Sequence, residues 1–333
     1  MRIVVTGGLG HIGSRLIRDL PLAFPGAEII VLDDLSTQRY CSLFNLPTGA
    51  RIRFVEGSVL SSDLAELFAG SDVVVHLAAI TDATTSFENQ EKVEQVNFVG
   101  TERVARACMQ ANTALIFPST TSVYGTQAEI VDESCPLEDL KPQSPYAESK
   151  LKAERLIERL GETGGLRFLI CRLGTIFGTS IGMRFHTAIN KFCWQAVMAQ
   201  PITVWRTALR QNRPYLELKD ATRALTYIIG KGLYTRNLYN VVTVNTSVKE
   251  IVDIIRSFVP DLTIEYVDTR IMNQLSYHVS SRLFEDLGFR FEGDLRTGIG
   301  DTIALLKQTR SFADPVENKE EKLETINAHS SGI

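Results

Sequence analysis

Residues 4–16 read VVTGGLGHIGSRL. The apolar run Arg2–Thr6 gives way to Gly7, Gly10 and Gly13, and these open into the amphipathic stretch His11–Ala23. Glycines alone say little, since loops collect them; strand, glycine turn and helix in that order say more. Gly7 allows the tight turn, Gly10 lets backbone approach a pyrophosphate, and Gly13 lets the helix lie close to the sheet. The helix start, with His11 and Ile12 as its first residues, aims unpaired N–H groups at phosphates. Asp33 closes the second apolar run about twenty residues on, where a carboxylate receives an adenosine ribose. It also repels a 2′-phosphate, which favours NAD over NADP, although Arg39 nearby pulls the other way.

Working outward, short apolar runs recur at Arg2–Thr6, Glu28–Leu32, Ile52–Glu56, Asp72–Leu77, Ala114–Pro118 and Phe168–Arg172. They lack polar alternation, as strands buried on both faces of a parallel sheet do. Helical stretches lie between them: His11–Ala23, Ser62–Phe68, Glu91–Gln110 and Pro145–Leu160. The alternation predicts an α/β fold, a Rossmann-type doubly wound parallel sheet with right-handed crossovers. After residue 174 the pattern loosens. Gly182–Gln200 reads as helix, PITVW and TIEYV as short strands, and SVKEIVDIIRSF as a helix capped by Ser247. The expected organisation is a dinucleotide-binding domain over 1–174, a smaller α/β substrate lobe over 175–312 and a polar, flexible tail over 313–333.

Composition narrows the class. Of 333 residues 44% are hydrophobic and 22% charged, enough for a large core, and the formal net charge is −4. No strongly basic segment exists, so neither nucleic acid nor an anionic membrane is an expected partner. No apolar run is long enough to span a bilayer, and the opening MRIVVTGG is strand-like from its second residue. Cys41, Cys108, Cys135, Cys171 and Cys193 are scattered without a CxxC. A reduced, cytoplasmic setting without a metal site follows as an expectation.

The second constellation is SPYAESK, residues 144–150. Ser144 and Pro145 read as N-cap and first helical residue, which puts Tyr146 in the first turn and Lys150 on the same face. A tyrosine is too weak an acid to serve as a base near neutral pH. The Lys150 ammonium, the positive helix end and a nicotinamide cation would each lower its pKa.

With TGGLGHIG (6–13), Asp33, HLAA (76–79), NFVGT (97–101), STTSVYG (119–125) and YAESK (146–150) in this order, the chain resembles the extended short-chain dehydrogenase/reductases that act on nucleotide sugars. The NAD-dependent epimerase/dehydratase branch is nearest. The resemblance implies Tyr146 as general base and acid, Lys150 as its tuner and a ribose ligand, and Thr120 as the hydroxyl sharing the sugar oxygen. It implies NAD held by Gly7, Gly10, His11, Ile12, Asp33, Ser58, Val59, Leu77, Ala78 and Ala79 together with Tyr146 and Lys150. A nucleotide-diphosphate sugar would meet Thr120, Thr121, Thr175, Arg184 and Arg213; a homodimer built on helices 91–110 and 145–160 is implied by analogy. His76 reads as a structural hydrogen-bonding residue, Asn97 as scaffold and Tyr124 as packing.

The pattern also departs from the family. Dehydratases carry Asp-Glu after the catalytic Thr; here Thr121 and Ser122 stand there, and neither is a carboxylate acid or base. Ser58 replaces an adenine-contacting Asp, Thr175 replaces an Asn near the diphosphate, and the lysine after HLAA is absent from AITDATTS. Arg184 and Arg213 could clamp the diphosphate instead, or form surface ion pairs. Epimerisation at a ring carbon, C4 foremost, is the expected reaction. Net oxidation at C4 is the alternative, with dehydration and a non-catalytic dinucleotide sensor behind it.

Overall fold

The computed structural model describes residues 1–83, 85–125, 130–267 and 276–308. Its strands are Arg2–Thr6 (β1), Glu28–Asp33 (β2), Arg51–Glu56 (β3), Val73–His76 (β4), Ala114–Thr120 (β5), Ile130–Val131 (β6) and Phe168–Leu173 (β7). Thr175–Phe177 (β8), Ile202–Trp205 (β9), Asn212–Glu217 (β10), Asn237–Val241 (β11), Val244–Ser247 (β12), Ile264–Val267 (β13) and His278–Val279 (β14) follow. The helices are His11–Ala23 (α1), Leu64–Phe68 (α2), Gln90–Val93 (α3), Gly100–Gln110 (α4), Pro145–Gly164 (α5), Ala188–Val197 (α6), Leu218–Lys231 (α7), Val248–Phe258 (α8), Arg282–Asp286 (α9) and Leu295–Lys307 (α10).

Seven strands pair in the order β11-β7-β5-β4-β1-β2-β3, every neighbour parallel. The side chains explain why. In β1, Ile3 and Val5 enter one core and Val4 the other; in β4, Val73 and Val75 face one way and Val74 the other. Both faces are covered, α1 and α7 on one and α2, α4 and α5 on the other. Each such side chain is worth ~1.5–3 kcal/mol when buried. A polar residue in either register of β1 or β4 would be costly, so those central runs are apolar. β3, expected to be buried on both faces, is instead an edge strand, part exposed, and carries Arg51, Arg53 and Glu56. The chain moves outward from β1 to β3 and returns to β4 beside β1. The reversal leaves a crevice at the C-terminal ends of β1 and β4, where ligands of such sheets bind.

The C-terminal half has its own core of Phe177, Ile189, Ile251 and Ile299, packed among α6, α8 and α10. It also lends β11 and α7 to the main sheet. Ser247 caps α8 in a full capping box with Glu250. Two predicted helices differ in detail. The stretch 182–187 is loop, and only Ala188–Val197 is helical. Gly182 donates its N–H to Ser14 Oγ at 3.0 Å, and a Cβ on it would fall 2.6 Å from the carbonyls of Leu9 and Gly10. That contact lays loop 178–187 across the glycine turn and overrides helical preference. The helix over 90–110 contains a π-helical segment, Glu94–Val99. The expected tail, 313–333, lies outside the described residues. Among the described residues no helix is long and apolar enough to cross a membrane, and no three His, Cys, Asp or Glu side chains group to hold a metal.

Candidate active site

The crevice between β1 and β4 opens into a cleft of about 640 Å³. Gly7, at φ +65°, presses so closely on the next loop that a Cβ would lie 2.5 Å from Ala78 N. Only glycine allows that approach. Gly10 is the N-cap of α1, and no side chain caps the helix. Its first amides therefore stand open to an anion. Asp33 ends β2 with its carboxylate fixed, Oδ2 accepting from Leu9 N and Oδ1 from Leu35 N, both at 3.0 Å. Burial raises its pKa, and the two amides and Arg39 oppose the rise. Ser58, Val59, Leu77, Ala78 and Ala79 line the same cleft with Gly7, Gly10, His11 and Ile12. An open helix start, a fixed ribose-side carboxylate and a small-residue wall suit a dinucleotide. A larger groove of about 820 Å³ runs between α1 and α7, but it holds none of these residues.

At the far end stand Thr120, Tyr146 and Lys150. Ser144 accepts from Ala147 N at 3.2 Å and Pro145 takes the first helical position, as the sequence predicts. Tyr146 is thereby delivered to the same end of the cleft as Thr120. Lys150 is buried beneath, its Nζ donating to Pro118 O at 2.8 Å and lying 4.5 Å from the Phe117 ring centre. Burial pushes the Tyr146 phenol up to about 12, against the pull of Thr120 and Arg184. This corrects the expectation that Lys150 and the helix end lower it. Desolvation of the phenolate dominates, and a bound cation must do the lowering. Burial also brings Lys150 down to about 8, with Glu154 opposing.

Behind these groups lies a buried polar network. Glu154 on α5 takes Arg172 of β7 at 2.7 Å and also accepts from Ser119 Oγ. Arg172 sits 4.8 Å from the Tyr124 ring, and Tyr124 Oη donates to Asn240 Oδ1 at 2.8 Å. Asn97, in the π-helical segment, bonds both Ile80 N and Ile80 O and reaches Ser149 Oγ at 3.1 Å. It ties the loop after β4 to the helix carrying Tyr146. His76 is buried between Thr6 Oγ1 at 2.7 Å and Thr101 Oγ1 at 3.0 Å, a structural link outside the cleft.

The expected substrate contacts divide. Thr175 and Arg184 line the cleft, and Arg184 Nη1 donates to Thr81 Oγ1 at 2.5 Å. Thr121 turns its hydroxyl to Leu173 O, and it is Ser122 that lines the cleft. Arg213 stacks 5.7 Å from the Tyr277 ring and bonds Gln211, away from the cleft lining. Tyr277 in turn donates to Thr121 O at 3.3 Å. Thr81, Asp82 and His186 also line the cleft near Arg184, without having been singled out in the sequence. AITDATTS, where the family lysine is missing, was the available signal.

Fold and cleft together define a dinucleotide-dependent enzyme of the short-chain dehydrogenase/reductase type. Residues 3–241 match the family described as NAD dependent epimerase/dehydratase, and the chain belongs to it. Its cofactor is NAD. It is 31% identical over 238 residues to the uncharacterized UDP-glucose epimerase YtcB of Bacillus subtilis (strain 168), covering 69% of this chain and 73% of that one. It is 28% identical over 318 residues to the trifunctional UDP-glucose 4,6-dehydratase/UDP-4-keto-6-deoxy-D-glucose 3,5-epimerase/UDP-4-keto-L-rhamnose-reductase RHM3 of Arabidopsis thaliana, covering 90% of this chain and 46% of that one. The chain thus spans under half the length of that plant protein. Among solved structures, MoeE5 in complex with UDP-glucuronic acid and NAD superposes with a TM-score of 0.80 at 25% identity, over 94% of this chain and 100% of that one.

Proposed function

We propose that the protein is a nucleotide-sugar epimerase that inverts a ring carbon, C4, of a UDP sugar. The observation that carries this is the Thr120–Tyr146–Lys150 set without a carboxylate at positions 121 and 122. Bound NAD would supply a reversible hydride acceptor for the sugar carbon. Tyr146 takes the C4 hydroxyl proton and gives it back, Thr120 holds the same oxygen, and Lys150 binds ribose. Gly7, Gly10, His11, Ile12, Asp33, Ser58, Val59, Leu77, Ala78 and Ala79 hold NAD. Thr120, Thr121, Thr175, Arg184 and Arg213 serve the substrate, Thr121 and Arg213 by supporting the pocket through Tyr277. Residues 175–312 form the substrate lobe, and the working unit is a homodimer, which sedimentation at micromolar concentration would test.

The relative named for UDP-glucose and the solved neighbour holding UDP-glucuronic acid make these the first substrates to try. Arg184 supports an acidic sugar, because a guanidinium in the cleft suits a carboxylate. Incubation of each UDP sugar with trace NAD, followed by NMR, is expected to give the 4-epimer without net NADH. Steady NADH and a keto-sugar would support net oxidation instead; a 6-deoxy-4-keto product would mean dehydration.

A further inference from the structure

His11 is the first residue of α1 and lines the cleft. Ser180, from loop 178–187, spends its hydroxyl proton on His11 O at 2.9 Å. The 2.7 Å contact between Ser180 Oγ and His11 Nδ1 then needs its proton on Nδ1. In the neutral ring Nε2 is therefore a bare lone pair. It is buried and, among the described residues, has no hydrogen-bond partner. Arg39 Nη1 is a second buried orphan, 4.0 Å from where a Cβ on Gly10 would sit. The charged and titratable groups acting on the His11 ring come from two segments: Arg39 after β2, and Arg184 and His186 from loop 178–187. Together with burial they hold the empty ring neutral, with a pKa lowered to about 3.

A sugar or ribose hydroxyl could satisfy Nε2, but it would leave Arg39 Nη1 unmet and the cations facing one another. An anion satisfies all of them once the imidazole takes a proton. We propose that His11 is a proton-linked diphosphate ligand: as a diphosphate enters, Nε2 takes a proton from solvent and donates it to a phosphate oxygen, while Nδ1 stays on Ser180. One N–H bond forms on Nε2 as one O–H or N–H bond of a hydronium ion or buffer acid breaks, and no other covalent bond changes. The same ring then joins anion binding to the loop that carries Arg184. The proposal rests on the chain's use of NAD; the diphosphate can belong to the dinucleotide or to the nucleotide sugar.

The test is calorimetric titration of the full protein with NADH, and separately with UDP, in buffers of different ionisation enthalpy. NADH carries the pyrophosphate without the nicotinamide charge that would perturb Tyr146. Uptake of about one proton at pH 6 is expected, falling toward pH 8. His11→Phe should abolish the uptake and weaken affinity about tenfold at pH 6, the scale of a charge-assisted hydrogen bond. His186→Gln should keep the uptake. If His11→Phe does not fold, the His11 ring nitrogen shifts of the wild type on titration give the same reading. Uptake with NADH assigns the dinucleotide phosphate, and uptake with UDP alone assigns the substrate's. NADH binding with no His11-dependent proton from either ligand overturns the proposal alone; no binding of NADH at all overturns it together with the cofactor reading.

Discussion

At the level of single residues, the cleft sets two titrating groups against solvent. Lys150 has a folded pKa of about 8, below its usual 10.5, because burial disfavours the ammonium. The fold therefore bears a cost that is full below pH 8 and fades as pH rises from about 8 to 10.5, where the unfolded chain binds more protons. Lys150→Met removes this cost and the bond to Pro118 together. The difference in Tm between variant and wild type should shift against the variant as pH rises from 7 to 10; a pH-independent difference would contradict the burial argument. Tyr146→Phe should leave NAD affinity within a few-fold and cut kcat by ~10²–10⁴, the usual worth of a positioned acid–base group. Wild-type turnover in this variant would remove Tyr146 from the chemistry.

At the level of elements, the buried Glu154–Arg172 pair joins α5 to β7 and holds Ser119 beside Thr120, with side chains only 2% and 4% exposed. Arg172→Met would strand a buried carboxylate. A loss of ~3–5 kcal/mol in urea unfolding is expected, partly recovered when Glu154→Leu is added. Gly182→Ala would drive a methyl into the carbonyls of Leu9 and Gly10 and lift loop 178–187. KM for the sugar should rise about tenfold or more through displaced Arg184. These elements differ in how far the sequence reveals them. Ser144–Pro145 and the Ser247 cap are legible because capping is settled within four residues. The loop at 182–187 is not, because its conformation is set by Ser14 and the glycine turn, about 170 residues away in the chain. The pairings Arg184–Thr81 and His11–Ser180 leave no local pattern either.

At the level of the whole molecule, the sheet is completed from both ends of the sequence. The apolar runs foretold six of its strands; β11 was not foretold, because its NLYNV mixes polar and apolar residues and is fixed by pairing with β7. A fragment of residues 1–174 would lack β11 and α7, leaving the β7 edge and the side of Leu169 and Cys171 uncovered. It should be insoluble or lack cooperative unfolding, whereas residue 174 could still divide cofactor duties from substrate duties. A soluble, cooperative fragment would show two independent folding units.

The π-helical segment Glu94–Val99 has a consequence for how this chain can vary. A helix turns about 100° per residue. Removing one residue there would give a more regular helix and swing Asn97 away from Ile80 and Ser149. Length, and not only residue identity, is thus under constraint at this point: a gap of one position would improve the helix and uncouple it from the cleft.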